Sequence, residues 1–413
     1  MVTQEKVFDF IKTITKTRDP NKEPGFWAFV PQNIIHDIKH FHNAMPGIGL
    51  YYAVKCNPYP YIVQTLINYH DKQKDGFDCA SINEIKEVIK LGGNPLNISY
   101  SQIAKTRYEI ITSYKLGVRI TLVDCVEEVE KIASVKDQVK DIKILIRIRS
   151  DDSSAEYTLG ARFGAEEYEI DEILNKLHEN GLCFHGIHFH IGSAAHNPKA
   201  FENGIRIAKD TFEKGIKLGY KPQILDIGGG FSHEVSVDDF GKVIIEAAKK
   251  YGMDKYKIIA EPGRFIASNA LSYVANVIYK RKKKEGNLIY YSLDDGIHGN
   301  LAYCNLFNKI VECIPLNPRN TKKYRSLIGG QTCDSHDIVC DFELEELEIC
   351  DWVVFYCLGA YSMSIATNFN GFEARQRQIF QMPLDDGNVI KIPNELEKHG
   401  IPALWGIPNM WDI

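Results

Sequence analysis

Short apolar runs alternate with amphipathic helical patterns between about residues 46 and 265. The apolar runs are rich in β-branched and aromatic residues, which is typical of buried strands. They are GLYYAVK ending at Lys55, GFDCA ending at Ala80, NISYS ending at Ser101, RITLVD ending at Asp124, KILIRIR ending at Arg149, FHGIHFHIG ending at Gly192, ILDIGGG ending at Gly230 and IIAEPGRF around Glu261. The segments between them, such as INEIKEVIKLGG and VEEVEKIASVK, place apolar residues at helical spacing. This alternation predicts a (β/α)8 barrel of parallel strands.

The pattern changes after Ala270, where β-rich runs follow one another with turn residues between them and no long helix. The charged segment 280–287 lies between two such runs, YVANVIY and NLIYYSL, and is interpreted as a hairpin turn, with a phosphate-binding patch as the alternative. We therefore expect a barrel domain over residues 31–270. Residues 1–30 and 271–413 are expected to form an antiparallel β domain.

Composition narrows the class of protein. A chain of 413 residues favours two domains, and a net charge of -5 provides no overall attraction to nucleic acid or to an anionic membrane. The first twenty residues contain scattered charges, and no segment is long and apolar enough to span a bilayer, so neither a signal peptide nor a membrane anchor is expected. The ten cysteines form no C-x-x-C pair, which favours reduced thiols in a cytoplasmic protein.

Polar residues end most of the predicted barrel strands. Lys55 ends the first strand, and a lysine there is either a solvated cap or a desolvated amine that can bond to an aldehyde. The others are Asp78, Arg147, His190, Gly228, Gly229, Gly230, Glu261 and Arg264. Because the carboxyl ends of the strands carry the active sites of such barrels, these residues are the candidate site.

Two of these clusters have more than one interpretation. The three glycines at 228–230 form either a tight turn or an anion-binding loop, and the loops after the seventh and eighth strands commonly bind phosphate. His188 and His190 face the same way along their strand, while His185 faces the opposite way. No carboxylate or cysteine nearby completes a metal-ligand set, so we expect no metal, and a ring at this strand end is suited to packing on a planar ligand.

Glu261 and Arg264 together suit a planar nitrogen heterocycle that carries a phosphate, since an acid can face the ring nitrogen and a cation can face the phosphate. With Lys55 as the partner of an aldehyde, this combination indicates pyridoxal 5'-phosphate. An ordinary ion pair between the acid and the arginine is the alternative.

Seven motifs occur along nearly the whole chain, namely YAVKCNP at 52–58, GFDCAS at 76–81, HFHIGS at 188–193, LDIGGGF at 225–231, EPGRF at 261–265, TCDSHD at 332–337 and LGAYS at 358–362. With these motifs the chain resembles the eukaryotic-type ornithine decarboxylases, basic amino acid decarboxylases of the fold type III pyridoxal-phosphate enzymes. The resemblance implies the alanine-racemase-like barrel with a C-terminal β domain, and a cytoplasmic homodimer with shared active sites.

The resemblance also implies roles for individual residues. Lys55 would hold the cofactor covalently, Glu261 would face the pyridine nitrogen, and His190 would stack on the ring. Asp78 and Arg147 would orient the ring and the lysine. The phosphate would be held by Ser193, Gly228, Gly229, Gly230, Arg264 and Tyr361. Cys333 would return a proton to the Cα atom of the substrate.

Further expectations concern the substrate tail and the dimer. Asp334 would bind the distal amine of a basic amino acid from the neighbouring subunit, and Arg162 would pair with Asp337 across the dimer. The family's second carboxylate for the tail falls at or near Asn308, beside Phe307, and His298 replaces a tyrosine. An amide does not neutralise an ammonium group, and a charge-assisted hydrogen bond is roughly twice as strong as a neutral one.

The leading hypothesis from the sequence is decarboxylation of L-ornithine to putrescine and CO2. Lysine or arginine is the alternative substrate because Asn308 removes the expected carboxylate. Racemisation uses the same fold, but TCDSHD favours decarboxylation, and an inactive regulatory homologue is disfavoured because Lys55 and its partners are present. A regulator of the antizyme type is the expected protein partner.

Overall fold

The computed structural model describes residues 1–283, 287–306, 311–374 and 377–393, so Phe307 and Asn308 lie outside the described residues. The strands are β1 (Phe26–Phe29), β2 (Gly49–Ala53), β3 (Gly76–Cys79), β4 (Ile98–Tyr100), β5 (Ile120–Val123), β6 (Lys143–Arg147), β7 (Ala155–Tyr157), β8 (Cys183–His188), β9 (Ser193–Ala195), β10 (Ile224–Asp226), β11 (Lys257–Ala260), β12 (Leu271–Lys282), β13 (Leu288–Leu293), β14 (Cys313–Pro315), β15 (Lys323–Gly329), β16 (Ile338–Glu345), β17 (Trp352–Phe355) and β18 (Ile379–Gln381).

The helices are α1 (Gln4–Thr15), α2 (Pro31–Ala44), α3 (Pro60–Tyr69), α4 (Ile82–Lys90), α5 (Arg107–Lys115), α6 (Val126–Ala133), α7 (Ile170–Glu179), α8 (Lys199–Lys217), α9 (Val237–Lys250), α10 (Arg264–Ala267) and α11 (Ala302–Leu306). Within the described ranges, none of these helices is long and apolar enough to cross a bilayer.

The chain forms two compact units. The barrel unit comprises residues 37–55 and 66–265, and the sheet unit comprises residues 1–36, 56–65 and the chain from Ile266 onward. Each unit has its own hydrophobic core. In the barrel unit Tyr51, Leu122, Leu145 and Ile259 pack together, and in the sheet unit α1 contributes Val7 and Ile11 to a core that includes Val274 and Val354.

The barrel is closed by eight parallel strands in the order β2-β3-β4-β5-β6-β8-β10-β11, with β11 pairing back to β2. Nearly every residue of these strands is buried, because helices cover a parallel barrel on the outside and side chains fill its interior. The predicted barrel is therefore confirmed, and each of its strands coincides with an apolar run that predicted it, although β8 and β11 begin one residue earlier, at Cys183 and Lys257.

Several strands end earlier than the apolar runs. The first barrel strand ends at Ala53 because residues Val54–Cys56 form a 3₁₀ turn, so Lys55 lies on the turn. The fifth barrel strand ends at Arg147, where the predicted run continued to Arg149. The sequence pattern does not reveal where such a strand ends, because the apolar residues continue into the turn that follows.

The sheet unit contains the predicted hairpin, since β12 and β13 pair antiparallel and the Lys283 N–H donates to the Leu288 carbonyl at 3.1 Å. Its larger sheet runs β14-β17-β12-β13-β15-β16, with β1 and β18 attached through β12. The expectation of a purely antiparallel domain is corrected here. The pairs β13–β15 and β1–β18 are parallel, and the chain between the strands of each pair is long enough for the crossover that parallel pairing requires.

Candidate active site

Lys55 is placed at the carboxyl end of the first barrel strand by the turn that follows β2. Its Nζ atom donates to Asp78 Oδ2 at 2.5 Å. The lysine side chain is 40% exposed, whereas the Asp78 side chain is buried at the end of β3. The amine is therefore paired with a buried carboxyl group, on a side chain that is partly exposed.

Glu261 lies directly after β11 and is buried. Its Oε2 atom lies 3.2 Å from His188 Nε2, and its Oε1 atom accepts a hydrogen bond from Ser101 Oγ at 3.0 Å. Burial raises the pKa of Glu261, but His188 and the Lys55 ammonium outweigh it, so the pKa lies below its ordinary value. This site therefore holds a negative charge inside the barrel.

Asp226 ends β10 beside Glu261, and one side-chain nitrogen or oxygen atom from each of His188, Asp226 and Glu261 lies within 4.8 Å of the others. Burial, followed by the charge of Glu261, raises the pKa of Asp226 well above its ordinary value. Asp226 Oδ1 accepts the Gly228 N–H at 2.9 Å. One carboxylate of this pair is thus ionised and its neighbour is neutral, since two like charges at this distance oppose each other.

His190 follows β8, and its Nδ1 atom accepts the Gly192 N–H at 3.0 Å, which leaves the ring proton on Nε2. Burial and then the nearby Arg147 guanidinium hold the pKa of His190 well below its ordinary value. Arg147 ends β6 with its guanidinium 4.9 Å from the centre of the Phe163 ring. The site therefore contains a neutral imidazole ring next to a fixed cation.

The glycine loop at 228–230 lies beside Glu261 and His190. A Cβ atom added to Gly229 would lie 2.8 Å from the Glu261 carbonyl oxygen and 2.9 Å from His190 Nε2. Gly230 has a φ of +116°, which glycine adopts without strain. A side chain at Gly229 would therefore collide with Glu261 and His190, so glycine is needed for this loop to pack against the two site residues.

Arg264 and Ser193 lie next to this loop in the same unit. The Arg264 guanidinium donates to Ser193 Oγ at 3.3 Å, and Arg264 is almost fully buried. The Ala195 N–H donates to the Gly230 carbonyl at 3.1 Å, which joins β9 to the loop. A buried cation, a hydroxyl group and a glycine loop suit an anionic group such as phosphate.

The predicted site residues of the barrel unit therefore lie together at the carboxyl ends of its strands. The arrangement fits the predicted pyridoxal phosphate in three respects. An amine lies at Lys55 beside Asp78, an ionised carboxyl group is buried at Glu261, and a glycine loop at 228–230 lies beside the buried arginine Arg264.

The remaining predicted residues lie in the sheet unit. Cys333 is exposed, and its N–H donates to Asn370 Oδ1 at 3.0 Å. Asp334 Oδ2 lies 2.7 Å from His298 Nε2, so these two predicted substrate residues are in contact. The Tyr361 N–H donates to the Cys56 carbonyl at 3.0 Å, and Tyr361 has a φ of +52°.

The two predicted dimer residues have internal contacts. Asp337 is buried, and its carboxylate accepts the Ile297 N–H at 2.9 Å and the Thr332 hydroxyl at 2.6 Å. The Arg162 guanidinium lies 5.0 Å from the centre of the Phe163 ring in the barrel unit. Their pairing across a dimer stays a prediction.

Three residues that contact the site were not assigned a role from the sequence. Ser101 and His188 bind Glu261, and Asp226 lies beside it. Their position in the sequence could have indicated a role in the site. Each of them ends a barrel strand or directly follows one, as the predicted site residues do. His188 was considered only as a metal ligand, and its partner Glu261 is 73 residues away in the chain.

The chain was also compared with known proteins. The family described as "Pyridoxal-dependent decarboxylase, pyridoxal binding domain" matches residues 31–268. An ornithine decarboxylase of Schizosaccharomyces pombe is 32% identical over 367 residues, which cover 86% of this chain and 83% of the relative.

Two solved structures have the same fold over most of their length. The arginine decarboxylase of Paramecium bursaria Chlorella virus matches with a TM-score of 0.85 and 31% identity, covering 91% of this chain and 100% of the other. The lysine/ornithine decarboxylase of Vibrio vulnificus, complexed with putrescine, matches with a TM-score of 0.80 and 25% identity, covering 92% and 99%. The family match, the extent of these similarities and the closed barrel agree, and the chain belongs to the pyridoxal-dependent decarboxylases.

Proposed function

We propose that the protein decarboxylates a basic amino acid with pyridoxal 5'-phosphate as cofactor, and that L-ornithine is its main substrate, giving putrescine and CO2. The observation that carries the proposal is the barrel site, where Lys55, Glu261 and the 228–230 loop lie in one polar cluster. The curated relative in S. pombe is an ornithine decarboxylase, which supports the choice of substrate. Release of CO2 and putrescine from L-ornithine tests it.

In this reaction the bond between Cα and the carboxylate breaks, the electron pair stays on Cα, and a proton then adds to Cα. The cofactor, when bound, supplies an electron sink for that pair. Lys55 would hold the cofactor aldehyde, with Asp78 positioning its amine. Glu261 would keep a negative charge at the ring nitrogen, and the neutral ring of His190 would pack on the cofactor.

The phosphate of the cofactor is assigned to Ser193, the 228–230 loop, Arg264 and Tyr361. Support comes from the buried guanidinium of Arg264 and its hydrogen bond to Ser193. Arg147 is assigned to the ring side, where its cation balances the buried carboxylates. Burial lowers the pKa of Arg147, and Glu261 opposes that change, as expected for a cation that faces anions.

We further propose a homodimer in which Cys333 and Asp334 serve the site of the partner subunit. Support comes from the exposure of Cys333 on the sheet unit, where a second chain can reach it. In this arrangement the Cys333 thiol donates the proton that Cα receives, and Asp334 accepts the distal ammonium group of the substrate.

Replacing Cys333 with alanine is expected to reduce diamine formation by about 10²-fold or more, because a positioned proton donor contributes roughly that factor. CO2 release should fall less, so the ratio of diamine to CO2 should drop below one. Both products are measured in the same reaction.

The matched control for this variant is Cys183→Ala, since Cys183 is also exposed and lies in the barrel unit. Its diamine output should equal that of the unaltered protein. Undiminished diamine output from Cys333→Ala would show that another group supplies the proton.

Substrate choice is assigned to the segment after α11, where the resemblance places Asn308 at the substrate tail. Replacing Asn308 with aspartate restores a carboxylate, which binds an ammonium group roughly twice as strongly as an amide does. We expect kcat/KM for ornithine to rise relative to lysine and arginine. Asn308→Gln, which keeps the amide, is the control, and an unchanged ratio in Asn308→Asp would contradict the assignment.

A cytosolic location and a regulatory protein partner are also proposed. All ten cysteines are free thiols, which supports a cytosolic location because thiols stay reduced there. A regulator of the antizyme type is proposed from the family resemblance, and the measurement is co-purification of the tagged protein with such a regulator from its own cells.

A further inference from the structure

Asp334 is held between two histidines. Its Oδ2 atom lies 2.7 Å from His298 Nε2, and its Oδ1 atom lies 3.1 Å from His336 Nδ1. The N–H of His336 also donates to Oδ1 at 2.9 Å. Each oxygen of the carboxylate is thus contacted by an imidazole, and we call these three residues the histidine clamp.

His298 makes further contacts in the sheet unit, whereas the side chain of His336 is mostly exposed to solvent. The His298 carbonyl accepts two hydrogen bonds from Thr367, from the N–H at 2.9 Å and from the hydroxyl at 2.8 Å. The His298 ring packs on Phe369 with ring centres 4.6 Å apart. The side chain of His336 is 89% exposed. The contact between His298 and Asp334 is therefore set by the fold.

Asp334 remains accessible to a ligand. Its side chain is 27% exposed, and it lines a surface cavity of about 500 Å³. The pKa of Asp334 is lowered to about 2 by the backbone N–H of His336 and then by the His298 ring. The carboxylate is therefore ionised throughout the physiological range, and its net effect on a ligand depends on the histidines.

Three other charged residues line the same cavity. Arg281 and Lys283 line the same cavity as cations. The carboxylate of Asp337 lines it as well, and this group is occupied by the Ile297 N–H and by Thr332. Both side chains that contact the Asp334 carboxylate are imidazoles, the type of side chain that most often acts as a charge switch near neutral pH.

We propose that the histidine clamp sets the charge that Asp334 presents to the substrate tail, so that proton uptake by His298 and His336 weakens binding of an amino acid with a cationic tail. With neutral imidazoles the clamp carries one negative charge and attracts the distal ammonium group. With one imidazolium it is neutral, and with two it carries one positive charge. The inference rests on the proposed role of Asp334 and adds His298 and His336 as specificity-determining residues.

The test compares L-ornithine with L-norvaline, an amino acid with a tail of similar length and no charge. The ratio of the inhibition constant for norvaline to the KM for ornithine isolates the tail, because the titration of the shared α-amino and carboxylate groups cancels. In the unaltered protein this ratio should fall on acidification from pH 8 to 6, by up to about tenfold per pH unit for each proton taken up.

The variant His298→Gln, His336→Gln keeps a hydrogen-bond donor at each position and cannot take up a proton. Its ratio should stay nearly constant from pH 8 to 6, with kcat changing less than KM. Asp238→Asn is the matched control, since Asp238 forms an exposed pair with His40 at 3.0 Å in the barrel unit. This control should follow the unaltered protein.

A second readout does not depend on turnover. Binding of 1,4-diaminobutane to the cofactor-loaded protein at pH 6.5 should release protons from the histidine clamp. The number of protons released is measured by calorimetry in two buffers of different ionisation enthalpy. The double variant should release fewer. Equal pH dependence and equal proton release in the two proteins would overturn the clamp, whereas absence of CO2 release from every basic amino acid would overturn the proposed function itself.

Discussion

Replacing Lys55 with alanine is expected to abolish covalent attachment of the cofactor and to reduce CO2 release by roughly 10³-fold or more, since the variant loses the amine that holds the cofactor aldehyde. The lysine lies on the turn after the first barrel strand, with its amine 2.5 Å from Asp78. Among the described residues of the barrel site, Lys55 is the one with a side-chain amine.

The measurement for Lys55 is reduction of the loaded protein with borohydride, followed by mapping of the labelled peptide. The unaltered protein should carry the label on Lys55, and Lys55→Ala should carry none. Lys55→Arg keeps the cation that faces Asp78 and cannot form the bond, so it should also lose the label. A labelled peptide in Lys55→Ala at the same site would contradict the assignment.

Replacing Glu261 with glutamine is expected to lower kcat by about 10² to 10³-fold, which is the usual loss when one preorganised electrostatic partner of the reacting group is removed. His188 and Lys55 keep the pKa of Glu261 below its ordinary value despite burial, so this carboxyl group carries a negative charge near neutral pH. The variant replaces that charge with an amide of the same shape.

Asp226→Asn provides the control for Glu261→Gln. The pKa of Asp226 is raised well above its ordinary value by burial and by Glu261, so the amide replaces a group that is already neutral. We expect its kcat to stay within about tenfold of the unaltered value, which is well short of the loss for a charged partner. Equal losses in the two variants would show that packing, and not the charge of Glu261, determines the rate.

Much of the barrel and its site could be predicted because both depend on local sequence. Buried parallel strands are continuous apolar runs, and a polar residue at the end of such a run marks the catalytic face. Lys55 and Glu261 were found in this way, although Lys55 lies on a turn and not on the strand. Their roles came from the family resemblance, and the variants above test them.

Contacts that join distant parts of the chain could not be predicted. Ser101 binds Glu261 across 160 residues, and only the closure of the barrel brings the two strand ends together. The parallel pairing of β13 with β15 depends on the connection between them, which a strand pattern does not encode. The contact between His298 and Asp334 likewise arises from the fold of the sheet unit.

The central claim is that the chain is a decarboxylase of basic amino acids that prefers ornithine. The most direct measurement is CO2 release from carboxyl-labelled L-ornithine, L-lysine and L-arginine, side by side, by the purified protein supplied with pyridoxal 5'-phosphate, with Lys55→Ala as the blank. We predict release from ornithine at the highest kcat/KM, with one putrescine formed per CO2. Release no greater than that of Lys55→Ala from all three amino acids would contradict the account.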